Sequence, residues 1–347
     1  VLSEALLVLV SVLPGADAVA PQAPPVEREV AAMGTRLRVV VSAAERATAF
    51  RASEAAVAAV EAAEQRLSTW RTDTELARLN AAPVGEPFAM SPELARDLDG
   101  AAHWFLASGG AFDPGVGALV DAFGLRHGGR IPDAAELAQA RAATGFPLLE
   151  RRGAVAVRRH PGLRIEEGGF GKGAALDDAL AAACAAGATG IVLDFGGQLA
   201  LRGGAPLWVG LAHPGARERA VGEVLLAGGS IATSGNSERG VTVGGQSLGH
   251  LLDPRTGQPA PDWGSLTVLA PTALAADCLS KLYVLGPDKA LAAAEAIPGV
   301  DAVALVRQGD EVAMRATPSL CTRLRALAGT RAPTFAAARP QPERTLQ

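Results

Sequence analysis

Apolar and polar residues alternate with a period of two through Arg36-Leu37-Arg38-Val39-Val40-Val41, the pattern of a strand with one covered face. Residues 47–67 have the length and composition of an amphipathic helix, so the chain opens strand then helix. Thr74-Glu75-Leu76-Ala77-Arg78-Leu79-Asn80 predicts a short helical piece. Ser91-Pro92-Glu93-Leu94 reads as an N-cap with proline at the first helical position, opening a helix that runs to Phe105 and is closed by Gly109-Gly110. Residues 153–157 and 163–165 read as a hairpin, followed by a glycine cluster, a helix over 174–186 and the buried strand Gly190-Ile191-Val192-Leu193-Asp194-Phe195. Strands then come in quick succession at 207–211, 221–226, 230–233, 240–243 and 265–269. A helix over 273–285 precedes strands at 302–306 and 312–315. Because the order is not strictly strand–helix–strand, the pattern predicts an α+β fold, a single layered body of mixed and antiparallel sheets with helices.

Composition narrows the function. A hydrophobic share of 49% over 347 residues is that of a packed globular chain, and a formal net charge of -4 with scattered arginines offers no basic stripe for a nucleic acid backbone. Aromatics are only 4% of residues, which makes individual rings such as Trp70 and Phe112 conspicuous. Residues 5–12 are apolar or small and are followed by Pro14, Gly15 and Ala16-Asp17-Ala18, so residues 1–18 read as an export signal cut near Ala18, implying a periplasmic or otherwise exported protein. The missing Lys or Arg at its front departs from that pattern, and a buried N-terminal helix is the alternative. A Pro-rich linker is expected over 19–29, the main domain over 30–330, and a disordered tail rich in Pro, Arg and Ala over 331–347. No other run reaches the roughly 18 apolar residues that span a bilayer, so no transmembrane anchor is expected. Cys184, Cys278 and Cys321 have no zinc-type spacing and allow at most one disulfide.

Three clusters carry candidate chemistry. Gly169-Phe170-Gly171-Lys172-Gly173-Ala174 follows an expected strand, opens a helix and has Asp194 about 20 residues on, as a dinucleotide-binding turn would. Yet Glu166 and Glu167 precede it, where two carboxylates repel a pyrophosphate unless a cation intervenes, and Gly173 stands where a phosphate-binding loop of the Walker type needs Ser or Thr. The second cluster is Thr233-Ser234-Gly235-Asn236, Glu238-Arg239 and the run from His250 to Gly257; its end is turn chemistry, but His250 is suited to proton transfer and an arginine to phosphate binding. In the third, Asp277, Ser280 and Lys281 share one face at the start of a helix, which is either a shared ligand site or an ordinary i,i+4 ion pair.

In order along the chain, Met33-Gly34-Thr35, Leu67-Ser68-Thr69-Trp70 with Asp73 and Glu75, Gly110-Ala111-Phe112-Asp113-Pro114, Lys172-Gly173 with Asp177, Gly196-Gly197, Thr233-Ser234-Gly235, His250 to Gly257, and Asp277 together resemble the ApbE-like FAD:protein FMN transferases, or flavin transferases. The resemblance implies a fold related to the T-fold and an enzyme that moves FMN from FAD onto a Thr or Ser hydroxyl of an acceptor flavoprotein near a membrane surface, releasing AMP. It implies an FAD site made by Met33, Trp70, Ala111, Phe112, Asp113, Glu166, Lys172 and Leu252, with Thr233, Ser234, Gly235 and Arg239 alongside, and catalytic roles for His250 and Asp277. It also implies Mg²⁺ held by the backbone oxygen of Gly169, by Asp277 and by positions 280 and 281. Here the chain departs from the pattern: Lys281 replaces the usual Thr, Ser237 an aromatic, Gln198 an Asp, and Glu166 an Asp. Two consequences stay open for Lys281: its ammonium displaces the ion, or it swings outward and leaves the remaining ligands to the metal. An FAD-binding or FAD-hydrolysing relative without transfer activity is the alternative function.

Overall fold

Strands Val26–Ala32 and Thr35–Ser42 form a hairpin whose two-residue turn, Met33-Gly34, takes positive φ at both positions (44° and 71°), the turn geometry that matches strand twist. The computed structural model describes residues 23–236, 240–243, 245–309 and 311–336. The expected leader therefore lies outside the described residues, as do Ser237 and Arg239. The first strand starts within the stretch expected as linker, and Thr334–Phe335 within the expected tail pairs with Glu311–Ala316. Val26 and Ala32 are buried, which is why the sheet recruits this segment despite the prolines before it.

The hairpin begins a nine-stranded sheet that continues through Gly190–Phe195, Gln198–Gly203, Gly229–Gly235, Gly264–Ala270, Asp301–Gln308 and Glu311–Ala316 to Thr334–Phe335. Only the last pairing is parallel. Alternation along each strand sends side chains to opposite layers. Leu37, Val39, Val41, Ile191, Leu193 and Phe195 pack under helices α1 (Arg46–Leu67) and α6 (Gly171–Ala185). Leu199, Leu201, Ile231, Val303 and Leu305 face a smaller sheet of Leu207–His213, Ala216–Leu226 and Leu324–Ala326. The expected layered α+β body is the one observed.

A second lobe of side elements closes around the helix layer: α2 (Glu75–Ala81), α3 (Pro92–Ala107), α4 (Gly117–Ala122), α5 (Ala134–Ala142) and a three-stranded sheet of Pro87–Ala89, Leu149–Arg152 and Val155–Arg158. Thr74 and Ser91 cap α2 and α3 as their sequence positions predict. A buried ion network clamps this lobe to the core. Arg66 of α1 donates to Asp97 of α3 at 2.7 Å and to Asp178 of α6 at 2.8 Å, and Arg96 reaches Asp178 at 2.7 Å. The hairpin expected from residues 153–157 and 163–165 is instead made by Leu149–Arg152 with Val155–Arg158. Residues 163–165 run unpaired, and the side chain of Asn80 satisfies Ile165, accepting from its N–H at 2.7 Å and donating to its carbonyl at 2.9 Å. The segment before the glycine cluster is therefore fixed by the Asn80 side chain and by single backbone bonds with Pro114 and Gly117 rather than by a ladder, which removes the strand that a dinucleotide-binding unit requires.

The helix expected over 273–285 is α7 (Ala273–Ser280) followed by a tighter turn, Lys281–Leu285, with α8 (Pro287–Glu295) beyond it. Asp177 of α6 accepts from the N–H groups of Ala273 and Leu274, and Thr272 caps Ala275. Gly173 lies where α6 meets α7; a Cβ there would stand 2.5 Å from the carbonyl oxygen of Ala273, so glycine is what lets the two helices touch. The three cysteines are unpaired, with Cys278 fully buried and its thiol pushed well up by that burial. Among the described residues no helix is long and apolar enough to cross a membrane.

Candidate functional site

A cavity of about 540 Å³ opens where the side lobe, the N-terminal end of α6, α7 and the strand Gly229–Gly235 converge. Its size is that of small-molecule and cofactor sites. Trp70, Ala111, Phe112, Asp113, Glu166, Lys172, Thr233, Ser234, Gly235, His250, Leu252, Gly169, Asp277 and Lys281 all line it, so residues expected to act together across more than two hundred positions of sequence do meet. Among the described residues the exceptions are Ser280, which is 1% exposed and not part of the lining, and Met33. Met33 sits at the hairpin tip with its Cε 3.3 Å from where a Cβ on Gly171 would be, behind the turn that carries Lys172 rather than in the cavity wall. The strained φ of Met33 and the helix start at Gly171 set that placement.

The buried floor is polar. Asp277 is 2% exposed; its Oδ2 accepts from the N–H of Gly173 at 3.0 Å and its Oδ1 from Lys281 Nζ at 2.8 Å. Burial pushes this carboxyl up, but the ammoniums of Lys281 and Lys172 with the hydrogen bonds from Lys281 and Gly173 outweigh it and hold the group below the usual carboxylate range. Lys281 Nζ also donates to the backbone oxygen of Asp277 at 3.0 Å and to Ser280 Oγ at 3.1 Å. Ser280 Oγ lies 2.7 Å from Ser234 Oγ, tying α7 to the neighbouring strand. Next to it Thr233 and Thr267 hydroxyls are 2.8 Å apart.

The rim is aromatic and charged. Trp70 is 70% exposed, and the guanidinium of Arg126 lies 4.6 Å from its ring centre. Arg126 also donates to the carbonyl of Thr69 at 2.8 Å and pairs closely with Glu166, while Glu167 accepts from the Thr69 hydroxyl. Nothing local in the sequence marks Arg126; only the tertiary meeting of Trp70 and Glu166 gives it a role. Asp113 lines the cavity, but its Oδ1 is occupied by the N–H groups of Gly115 at 2.7 Å and Phe146 at 2.9 Å, so it holds the wall rather than reaching inward. Burial raises it to about 6 against those two bonds. In the Asp253–Gly257 turn the Arg255 guanidinium is spent on Asp253, at 2.8 and 2.7 Å, and Gly257 carries the positive φ. Gln198, His213 and Arg217 also line the cavity from its sheet side, and none is among the binding residues that the resemblance implies.

Glu166 is raised to about 7 by burial first and then by Glu167, with Arg126 pulling the other way. The folded protein thus keeps a proton that the unfolded chain releases near its ordinary value of 4.5. The stability this carries is complete below that value and is lost as pH rises towards about 7. Urea midpoints of the wild type and Glu166→Gln, measured at about pH 5 and pH 7.5, are expected to move relative to each other, with the variant gaining on the wild type at the higher pH. A difference that does not change with pH would contradict the titration.

The oxygens of Asp277 and Ser280 are turned onto the Lys281 ammonium at 2.8 to 3.1 Å, whereas Mg²⁺ takes oxygens at roughly 2.0–2.1 Å. The carbon next to that ammonium, Lys281 Cε, lies 3.6 Å from where a Cβ on Gly169 would be, so the lysine stem passes alongside the backbone expected to complete the metal site. As arranged, the set expected for Mg²⁺ fits an ammonium and does not fit the ion. Lys281 has turned inward rather than outward.

Residues 33–304 match the model of the ApbE family. An FAD:protein FMN transferase of Klebsiella pneumoniae is 33% identical over 272 residues, 74% of this chain and 78% of that protein. Among solved structures, the ApbE protein of Thermotoga maritima superposes with a TM-score of 0.77 at 26% identity, covering 85% of this chain and 97% of that one. The flavin transferase ApbE of Vibrio cholerae does so with a TM-score of 0.75 at 27% identity, covering 87% and 100%. With the family model spanning most of the fold and the whole of the cavity floor, the chain belongs to the ApbE family.

Proposed function

We propose that this protein is an FAD:protein FMN transferase, which joins the FMN half of FAD through a phosphoester to a Thr or Ser hydroxyl of an acceptor flavoprotein. The observation that carries the reading is the single cavity lined at once by an exposed tryptophan, two ammoniums and a histidine, in a chain 33% identical to a protein of that name. Trp70 with Arg126 offers a face for a flat ring system. Lys172 and Lys281 supply positive charge for a pyrophosphate, and Asp277 keeps Lys281 pointed at it. Neutralising the phosphates lowers the barrier to attack by an oxygen nucleophile.

In the reaction, the acceptor hydroxyl oxygen bonds to the FMN phosphorus, the bond from that phosphorus to the bridging oxygen breaks, and AMP leaves with that oxygen. His250, on the cavity wall, takes the proton of the incoming hydroxyl. The reading includes export, with the acceptor reached outside the cytoplasm near a membrane surface; cell fractionation tests that part. The transfer itself is tested by incubating the protein with FAD and a Thr-containing acceptor domain. A covalent FMN adduct on the acceptor with an equal amount of AMP is expected. AMP with free FMN and an unmodified acceptor would instead make the protein an FAD hydrolase, and intact FAD would make it a carrier.

A further inference from the structure

We infer that Lys281 is a tethered cation standing in place of a divalent metal ion at the cavity floor, so that this protein holds its pyrophosphate ligand without added metal. The inference rests on the FAD reading for its ligand, but not for its geometry.

An ammonium has three N–H donors and no fixed coordination polyhedron. Those donors meet three oxygens, Asp277 Oδ1, the Asp277 carbonyl and Ser280 Oγ, at 2.8, 3.0 and 3.1 Å. The spacing is that of ordinary hydrogen bonds, so the three oxygens are taken up by the ammonium. The local backbone supports it. The chain changes from α-helix to a tighter turn at Lys281, which leaves the carbonyl of Asp277 able to accept from the lysine side chain. Ser280 is 1% exposed and is held by Ser234, and Asp277 is held by Gly173, so the oxygen cup is rigid before any ligand arrives. The Lys281 side chain keeps 17% of its exposure and lines the cavity, so one side of the ammonium faces the space where phosphate would lie. A divalent ion entering this cup has to expel a cation that is covalently attached and fully ligated. Charge repulsion and the loss of those hydrogen bonds both oppose it.

Two titrations of the full chain test the assignment. Mn²⁺ added to the protein alone, followed by the loss of its free electron paramagnetic resonance signal, is expected to show no site in the wild type and one site in Lys281→Thr, whose hydroxyl restores an oxygen in place of the ammonium. FAD binding, followed by flavin fluorescence in EDTA and again in excess Mg²⁺, is expected to differ less than threefold in the wild type. Lys281→Thr is expected to bind at least tenfold more weakly in EDTA and to recover in Mg²⁺, and Lys281→Met to stay weak in both. A wild type that takes up Mn²⁺, or whose FAD affinity falls tenfold or more when EDTA is added, would overturn the inference. Should the wild type bind no FAD in either buffer, the flavin reading fails on its own and the Mn²⁺ titration still decides the role of Lys281.

Discussion

Asp277→Ala is expected to lose FMN transfer by roughly 100-fold or more and to unfold at a clearly lower urea concentration than the wild type. The carboxylate serves two partners at once, the Lys281 ammonium and the Gly173 N–H, and is itself almost fully buried. Removing it leaves Lys281 without its anionic partner in a largely enclosed place, a change that in comparable buried pairs costs about 3–5 kcal/mol. It also frees the lysine to move, and a displacement near 1 Å of a positioning group is worth about two orders of magnitude in rate. Asp277→Asn separates the two effects. The amide keeps an oxygen for the Gly173 N–H but not the charge that fixes Lys281, so it should fold better than the alanine variant while transferring almost as poorly. Urea denaturation alongside single-turnover transfer reads both quantities; an alanine variant with wild-type transfer would remove Asp277 from the machinery.

His250→Ala has the second large effect, of a different kind. The proposed role is proton removal from the acceptor hydroxyl, and loss of such a group typically lowers the rate by about 10²–10⁴. FAD affinity should change by only a few-fold, because the positive charge at the floor comes from Lys172 and Lys281. Single-turnover transfer measured beside FAD titration separates the two: a fall in affinity as large as the fall in rate would make His250 a binding residue instead.

Much of the architecture was legible because it follows from local periodicity. Leu37, Val39 and Val41 alternate with polar or less buried neighbours and enter the helix-side core, and Ser91-Pro92 starts its helix where capping chemistry places it. The failures have a common cause, which is a distant partner replacing a local signal. Residues 163–165 look like a strand because apolar Leu163 and Ile165 flank Arg164, yet the backbone of Ile165 is satisfied by Asn80, a side chain some eighty positions earlier. Val26–Ala32 follows a run of prolines, yet it pairs along its whole length with Thr35–Ser42. The glycine turn around Lys172 imitates a dinucleotide-binding loop, but the sheet beside it is antiparallel and the Gly173 N–H is given to Asp277.

The same distinction holds within the site. Motifs reported which residues share the cavity, and the wall contains nearly all of them. They did not report what each one does there. Asp113 proves to brace the backbone of Gly115 and Phe146, Arg255 is consumed by Asp253, and Met33 stands behind the wall. Arg126, which organises the rim by meeting Trp70, Thr69 and Glu166, has no motif of its own. Whether Lys281 points in or out is decided by the tightening of the chain after Ser280, a feature that helix propensity does not encode.

The most direct measurement of the central claim is a crystal structure of the protein soaked with FAD in metal-free buffer. The pyrophosphate should lie within ion-pairing distance of Lys281, about 4 Å, with Asp277 still behind that ammonium and the flavin or adenine ring beside Trp70. Clear density for FAD whose phosphates lie away from the Asp277–Lys281 floor would contradict the account.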